Sequence, residues 1–378
     1  MGVLKQPEPA AAGTSRGEWQ VRWAWLGVAA IALTTLYFTQ SQSELNIYLL
    51  NTVMLASIGA VALNMLMGTA GQPSIGNAAF LAIGSFSAIF FIRAGWFGFP
   101  FDVAAATLVA ALAGLIIGLP ALRLSGLYLV LATLAAHFIV LFFVGRYQRE
   151  TVGESGFVIV PAFAGGGLKH TQFVWAWVLA ALLSIVVLVM SRLVAERSGR
   201  AWRLIRDNEL VAPTFGIRPT RYKLIAFSIS SGLIGMQGAL LLHFTGSATV
   251  ESFTLLLAIQ YLAMVLIGGL DSILGAVIGA ALLTYLPTKV PELVAHFVNS
   301  NDAAIKGPQI STIIYGVVII LVVTLSPQGI VGWLTSTRAS LSNRRRSGRS
   351  TQSGDAAKTI RPIPPTSDQG QPASRRAP

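Results

Sequence analysis

Four histidines, fifteen carboxylates and no cysteine are the groups from which this 378-residue chain could build chemistry. His137, His170, His243 and His296 lie far apart and never at metal-ligand spacing. Without cysteine there is no disulfide, no thiolate metal site and no cysteine nucleophile. No Gly-Lys dipeptide occurs, so the chain lacks the P-loop that cradles nucleotide phosphates. The apolar stretches hold few ionisable groups: Asp102 near the start of one, His137 inside another, His243 near the end of a third. Ion-coupled carriers depend on such intramembrane groups. Here they form no carboxylate pair and no relay, and each is expected to be interfacial or simply hydrogen-bonded. The expectation is therefore a protein with no catalytic residue and no metal site.

The polar chemistry that remains is backbone chemistry and one charged loop. Gly68, Gly71, Gly76 and Gly84 flank Gln72-Pro73-Ser74, and a second cluster runs Gly268-Gly269, Gly275, Gly279. Small residues let helix backbones approach closely, and helix packing is the expected role for most of these glycines. Gly71-Gln72-Pro73-Ser74 is different, because a Gly/Pro break inside an apolar stretch frees N–H and C=O groups. Such groups are tolerated only when buried in protein or lining a cavity. Gly71-x-x-Ser74-Ile75 is echoed by Gly269-x-x-Ser272-Ile273, 198 residues on, an echo that carries no weight by itself in so glycine-rich a chain. The charged loop is 198–217, where Trp202, Ile205, Leu210 and Phe215 alternate with Arg203, Arg206, Asp207 and Glu209. It reads as a short amphipathic helix that lies on a bilayer or docks into a partner's groove. An Arg203–Asp207 pair four residues apart is expected to add a few tenths of a kcal/mol, and Gly216 to end the helix.

The elements that hold these segments follow from composition. Apolar types make up 54% of the chain and charged types 11%, less than half the roughly 25% of soluble domains. Ten apolar blocks fall at 21–39, 45–67, 74–92, 99–119, 125–144, 173–193, 222–246, 254–270, 273–288 and 310–334. Crossing about 30 Å of hydrocarbon takes about 20 helical residues. The fold class is thus all-α and polytopic, with about ten transmembrane helices. The short eighth and ninth blocks, parted by Leu270-Asp271-Ser272, are either two tilted spans or one broken hairpin. The first block has no small-residue cleavage site after it and is expected to be retained. Lys and Arg collect in short cytoplasmic loops, and eight of them lie in 192–223. Both termini are therefore expected inside. Residues 1–20 are read as a cytoplasmic tail, 21–334 as the membrane domain with its loop at 194–221, and 335–378 as a disordered tail. That tail carries nine Lys/Arg against two Asp and no aromatic residue. Its attraction is to anionic lipid rather than to nucleic acid.

The loop is also where a family resemblance lies. Gly199-Arg-Ala-Trp-Arg-Leu-Ile-Arg-Asp-Asn-Glu209, with Ala212 and Gly216-Ile217, resembles the membrane permease subunits of bacterial branched-chain amino acid ABC importers (the LivM/LivH class). The likeness continues through Thr220-Arg221-Tyr222-Lys223-Leu224, Ser252-Phe253-Thr254 and Leu262-Ala263-Met264-Val265-x-x-Gly268-Gly269. Upstream it includes Leu63-Asn64, Gly68, Gly71-Gln72, Ser74, Gly76 and Gly126-Leu127-Tyr128, and near the end Pro327-Gln328-Gly329. It covers roughly residues 45–335.

The resemblance implies a transport channel half with no enzymatic activity of its own. ATP and magnesium would sit on two partner ATPase subunits, not on this chain. A second, homologous permease chain and an extracytoplasmic substrate-binding protein complete the expected assembly, in a bacterial cytoplasmic (inner) membrane. It also implies that Arg203, Arg206, Asp207, Glu209, Ala212 and Gly216 form the segment that couples to an ATPase. Asn64, Gly71, Gln72, Ser74 and Tyr128 are expected to border the translocation path. Branched-chain amino acids are the implied substrates. Urea or another small polar solute is the alternative, and a stand-alone secondary transporter is the alternative from another class. The chain departs from the family pattern at Asn77, where a histidine is usual, and at Pro213, which is expected to kink or shorten the loop helix.

Overall fold

The apolar blocks become helices because long runs of Leu, Val, Ala and Ile leave the backbone no partner but itself once water is gone. A computed structural model describes residues 15–41, 43–96, 98–121, 124, 126–152, 158–159, 168–297 and 316–317. Its first half holds α1 (Ser15–Ser41), α2 (Glu44–Asn64), α3 (Asn77–Arg93), α4 (Phe101–Ala121) and α5 (Leu127–Val152). Then come α6 (Leu168–Ala195), α7 (Arg197–Asp207), α8 (Pro219–Thr245), α9 (Leu255–Gly268) and α10 (Ile273–Phe297). The protein is thus an all-α polytopic membrane fold. Six of these helical segments are long and apolar enough to cross a membrane, and three shorter apolar ones fall within α1, α3 and α10. Together they account for nine of the ten blocks. The tenth, 310–334, lies outside the described residues apart from 316–317, as does the whole of 335–378. Helix α1 begins at Ser15, inside the segment read from composition as a tail.

Helix α2 is buried on every side from Met54 through Asn64 and packs against α1, α6, α8, α9 and α10, while α3 and α4 pack on α8. Helices α4 and α5 instead turn broad apolar faces outward, including Leu108, Leu112 and Ile116 on one and Phe138, Phe142 and Phe143 on the other. Apolar surface of this extent marks a lipid or partner-facing side. The eighth and ninth blocks are two separate helices, α9 and α10, that pack on each other across a four-residue reversal, 269–272.

Small residues set these contacts. A Cβ on Gly84 would collide with the carbonyl oxygen of Gly235, and one on Gly238 with that of Leu81, so α3 and α8 touch backbone to backbone. Ser85 Oγ donates to Gly238 O at 2.6 Å across the same seam. Gly268, Gly275 and Gly279 do the same between α9 and α10, which confirms packing as their role. At the end of the bundle away from α7, a two-residue β1 (Val158–Ile159) pairs antiparallel with β2 (Ser247–Ala248). There Gln148 Oε1 also accepts from Val250 N at 2.7 Å.

The α3–α8 seam gives a direct test. Gly84→Leu overpacks a backbone contact and is expected to cost about 1–3 kcal/mol, read as a lower melting temperature in detergent. Gly98→Ala, with no atom within 4 Å of its added Cβ, is expected to melt like the parent chain. Equal melting of both variants would contradict the close seam.

Candidate functional site

Helix α7 lies across the end of the bundle, and its sequence explains why it stays there. Ala201, Trp202 and Ile205 fall on one face and are buried, while Arg200 on the opposite side is exposed. Trp202 Nε1 donates to Tyr222 O at 2.8 Å, which ties the helix to the start of α8. Ser198 Oγ donates to Leu193 O and Arg203 Nη2 to Val194 O, both at 2.8 Å, which ties it to the end of α6. The α6 carbonyls are those that a helix C-terminus leaves unpaired, and a cation there also opposes the partial negative charge of the helix end.

After Asp207 the helix stops. Asn208 Oδ1 accepts from Leu210 N and Val211 N at 3.1 and 3.3 Å, forming a side-chain-capped turn. A short 3₁₀ turn, Ala212–Phe215, follows with Pro213 near its start, and Gly216 closes it at φ 74°. Asn208 takes an extended backbone and ends α7 before Pro213 is reached, so Pro213 and Gly216, expected to shorten and end the helix, instead open and close the separate 3₁₀ turn. Ala212 is buried, but Leu210 is 88% exposed and Phe215 70% exposed. Glu209 Oε2 pairs with Lys223 Nζ at 2.6 Å.

The expected Arg203–Asp207 pair does not form. Asp207 accepts from its neighbour Arg206 Nε at 3.1 Å. Arg203 points inward to Val194 O, and its Nη1 lies 3.7 Å from Asp271. A half-buried carboxylate and a helix-end carbonyl offer more than an exposed i,i+4 pair, worth only a few tenths of a kcal/mol.

Beneath α7 the chain breaks twice. Helix α2 widens into a π-turn, Met65–Thr69, and then unwinds through 70–76 before α3. Gly71 sits at φ 66°, and a Cβ there would run into the side chain of Arg206. Gln72, buried, donates from Nε2 to Lys223 O at 3.1 Å. Ser74 Oγ accepts from Gly76 N at 3.3 Å, and Thr133 Oγ1 from Ile75 N at 3.2 Å. The second break is the 269–272 reversal. Asn64, buried, spans the two breaks. Its Nδ2 donates to Gly269 O at 2.9 Å and to Ser272 O at 3.2 Å, and its Oδ1 accepts from Asp271 N at 3.0 Å.

The residues expected to couple and those expected to line a path therefore meet. Arg206 contacts Gly71 and donates to Gly68 O, and Gln72 bonds the start of α8. Tyr128 does not join them: it stands 70% exposed on the first turn of α5. Asn64, Gln72 and Ser74 also spend their polar atoms on holding the chain breaks together.

Three features escaped the sequence. Asp271, in neither segment singled out for polar chemistry, faces both Arg203 and Arg206 from a different part of the chain. Asp102 and His243, read as separate residues, are hydrogen-bonded to each other and buried near the opposite end. Asn77 and His137 are buried without a hydrogen-bond partner for any side-chain nitrogen or oxygen. No local pattern announces contacts between such distant positions. Asn77 alone carried a signal, as a departure from a family pattern.

A bundle of apolar helices, broken twice at one end and spanned there by an arginine-bearing surface helix, has the make-up of a membrane transport protein. Comparison with known proteins gives the family. Residues 45–323 match the model for the branched-chain amino acid transport system / permease component, and the chain belongs to that family. It is 32% identical over 254 residues to the high-affinity branched-chain amino acid transport system permease protein LivM of Escherichia coli (strain K12). The Salmonella typhimurium LivM matches at 30% over the same length, and a probable LivH of Methanocaldococcus jannaschii at 29% over 213 residues. The E. coli alignment covers 61% of this chain and 60% of that protein, so the chain spans about three fifths of the relative's length. The LivH alignment covers 54% of this chain and 64% of its counterpart. No solved structure gives a match.

The contact between Gly71 and Arg206 can be read by comparing two glycines at positive φ. Gly71→Ala and Gly216→Ala each carry the left-handed penalty of about 1–2 kcal/mol. Only Gly71→Ala also displaces Arg206, since nothing lies within 4 Å of a Cβ at Gly216. The larger loss of melting temperature is expected for Gly71→Ala, and equal losses would contradict the Arg206 contact.

Proposed function

We propose that this chain is the membrane-spanning permease subunit of an ATP-driven importer for branched-chain or related amino acids. The match of residues 45–323 to a permease family carries this reading. In it, ATP is hydrolysed by two separate ATPase subunits, a second permease chain completes the pathway, and an extracytoplasmic protein delivers substrate. The chain itself binds no cofactor.

Helix α7 and the turn after it are the docking segment. The side facing the bundle is committed to Trp202, Arg203 and Arg206 contacts, while Leu210, Val211 and Phe215 stand exposed beyond it. An apolar edge flanked by Arg206, Asp207 and the Glu209–Lys223 pair suits a groove on a partner protein. The eight basic residues of 192–223 support a cytoplasmic position for this segment. On that orientation the two helix breaks lie at the cytoplasmic mouth. The path for substrate then passes near Asn64, Gly71, Gln72 and Ser74.

The test uses the whole complex, purified in mild detergent from its native cell. Two P-loop ATPases and a second permease are expected to copurify, with ATP hydrolysis stimulated by a leucine-loaded binding protein. Glu209→Lys replaces an attraction to Lys223 with a repulsion. Glu209 is 47% exposed but Lys223 only 14%, so melting temperature is measured beside uptake to show that the variant stays folded. Gly216→Pro forces φ from 74° toward the proline value. Both variants are expected to reach the membrane and to lose uptake by about tenfold or more, the scale of a typical coupling free energy. Normal uptake in both would contradict the docking assignment. A chain that purifies alone and takes up amino acids without ATP would replace the importer with a secondary carrier.

A further inference from the structure

We propose that Asp271 is the positioning residue through which α7 grips both helix breaks, so that any movement of α7 is delivered to the two breaks together. The inference rests on the reading of α7 as the docking segment and goes one step further, to how motion leaves it.

Asp271 is the only non-glycine residue at positive φ among the described residues, at φ 66°. Glycine is at ease in that conformation, and a residue with a Cβ is not. A side chain held there against its backbone preference points to a role for the side chain. Its surroundings say what that role is. Asp271 Oδ1 accepts from Thr69 Oγ1 at 2.8 Å, which joins the carboxylate to the first break. Its backbone N donates to Asn64 Oδ1 at 3.0 Å, and a Cβ on Gly68 would collide with that same nitrogen. The two breaks therefore touch backbone to backbone at this residue.

The carboxylate also faces the two arginines of α7, with Arg203 Nη1 at 3.7 Å and Arg206 Nη1 at 3.8 Å. These are ion-pair rather than hydrogen-bond distances, and the Asp271 side chain is only 28% exposed, so the attraction is less screened than on an open surface. Each arginine has a second hold. Arg203 donates to Val194 O at the end of α6, and Arg206 donates to Gly68 O in the first break. One carboxylate thus sits where α7, the α2–α3 break and the α9–α10 break converge. Removing it leaves α7 docked through Trp202 and its α6 bonds, but parts it from the α9–α10 reversal.

The experiment compares Asp271→Gly and Asp271→Asn with the parent chain in the purified complex. Uptake per ATP hydrolysed, ATPase copurification and melting temperature are measured together. Asp271→Gly relieves the backbone while deleting the carboxylate. It is expected to melt no lower than the parent, to keep its ATPases and to hydrolyse ATP, yet to lose about tenfold or more in uptake per ATP. Asp271→Asn tolerates the same φ and still accepts from Thr69, but loses both ion pairs, and an intermediate loss is expected. If Asp271→Gly proves unstable, Asp271→Asn with normal melting and reduced uptake per ATP supports the proposal alone. Unchanged uptake per ATP in either folded variant overturns it and leaves docking at α7 intact. Loss of the ATPases from folded Asp271→Gly also overturns it, because the residue would then serve assembly rather than transmission. A parent complex that holds no ATPase removes the docking reading itself, and this inference with it.

Discussion

A helix that breaks inside a membrane frees amides and carbonyls that have no water to turn to, and every such group must find a protein partner. This constraint governs one end of the molecule. The freed groups of the α2–α3 break are met by Arg206 at Gly68, by Thr133 at Ile75 and by Ser74 at Gly76. Those of the α9–α10 reversal are met largely by Asn64, which takes two carbonyls and one amide with a single side chain. The same groups that satisfy the breaks also join them to each other and to α7. The polar residues here are few because each serves more than one element.

The rest of the bundle is arranged so that these joints can exist. Helix α2 is sealed on all sides and carries Asn64 to the junction at its last turn. Glycine seams bring α3 against α8 and α9 against α10, so the chain enters and leaves both breaks on tightly packed rods. Helices α4 and α5 leave wide apolar faces that suit lipid or a protein neighbour. At the opposite end, the Asp102–His243 pair is buried beside the edge of Phe99, with ring centroids 5.3 Å apart. It ties the start of α4 to the end of α8.

Much of the architecture is legible in the sequence because hydrophobic length is a local property. Nine of the ten apolar blocks become helices, although α5 and α10 run eight and nine residues beyond the expected ends at 144 and 288. The stop of α7 is local too: Asn208 turns the chain after Asp207, and Pro213 and Gly216 shape the short turn that follows. The junction is not legible in this way. The pairings of Asn64 with Gly269 and Ser272, and of Thr69 with Asp271, span more than 200 residues and leave no periodic trace. A local rule even misled for Arg203, whose four-residue spacing to Asp207 lost to partners on other helices. The one distant signal was the echo of Gly71-x-x-Ser74-Ile75 in Gly269-x-x-Ser272-Ile273. Composition gave it no weight, yet it marks the two breaks that face each other across Asn64.

Helix α7 and the two breaks are expected to move as one mechanical unit. This is tested most directly by distances between spin labels in the proposed importer complex, and a chain without cysteine is a clean background for them. Labels at Arg200, exposed on α7, and Leu270, half-exposed in the α9–α10 reversal, report across the unit. A label pair at Arg200 and Leu127, exposed at the start of α5, reports from the unit to its surroundings. Between the nucleotide-free state and the state trapped with ATP, the first distance should stay fixed while the second shifts. A first distance that changes as much as the second would contradict the account.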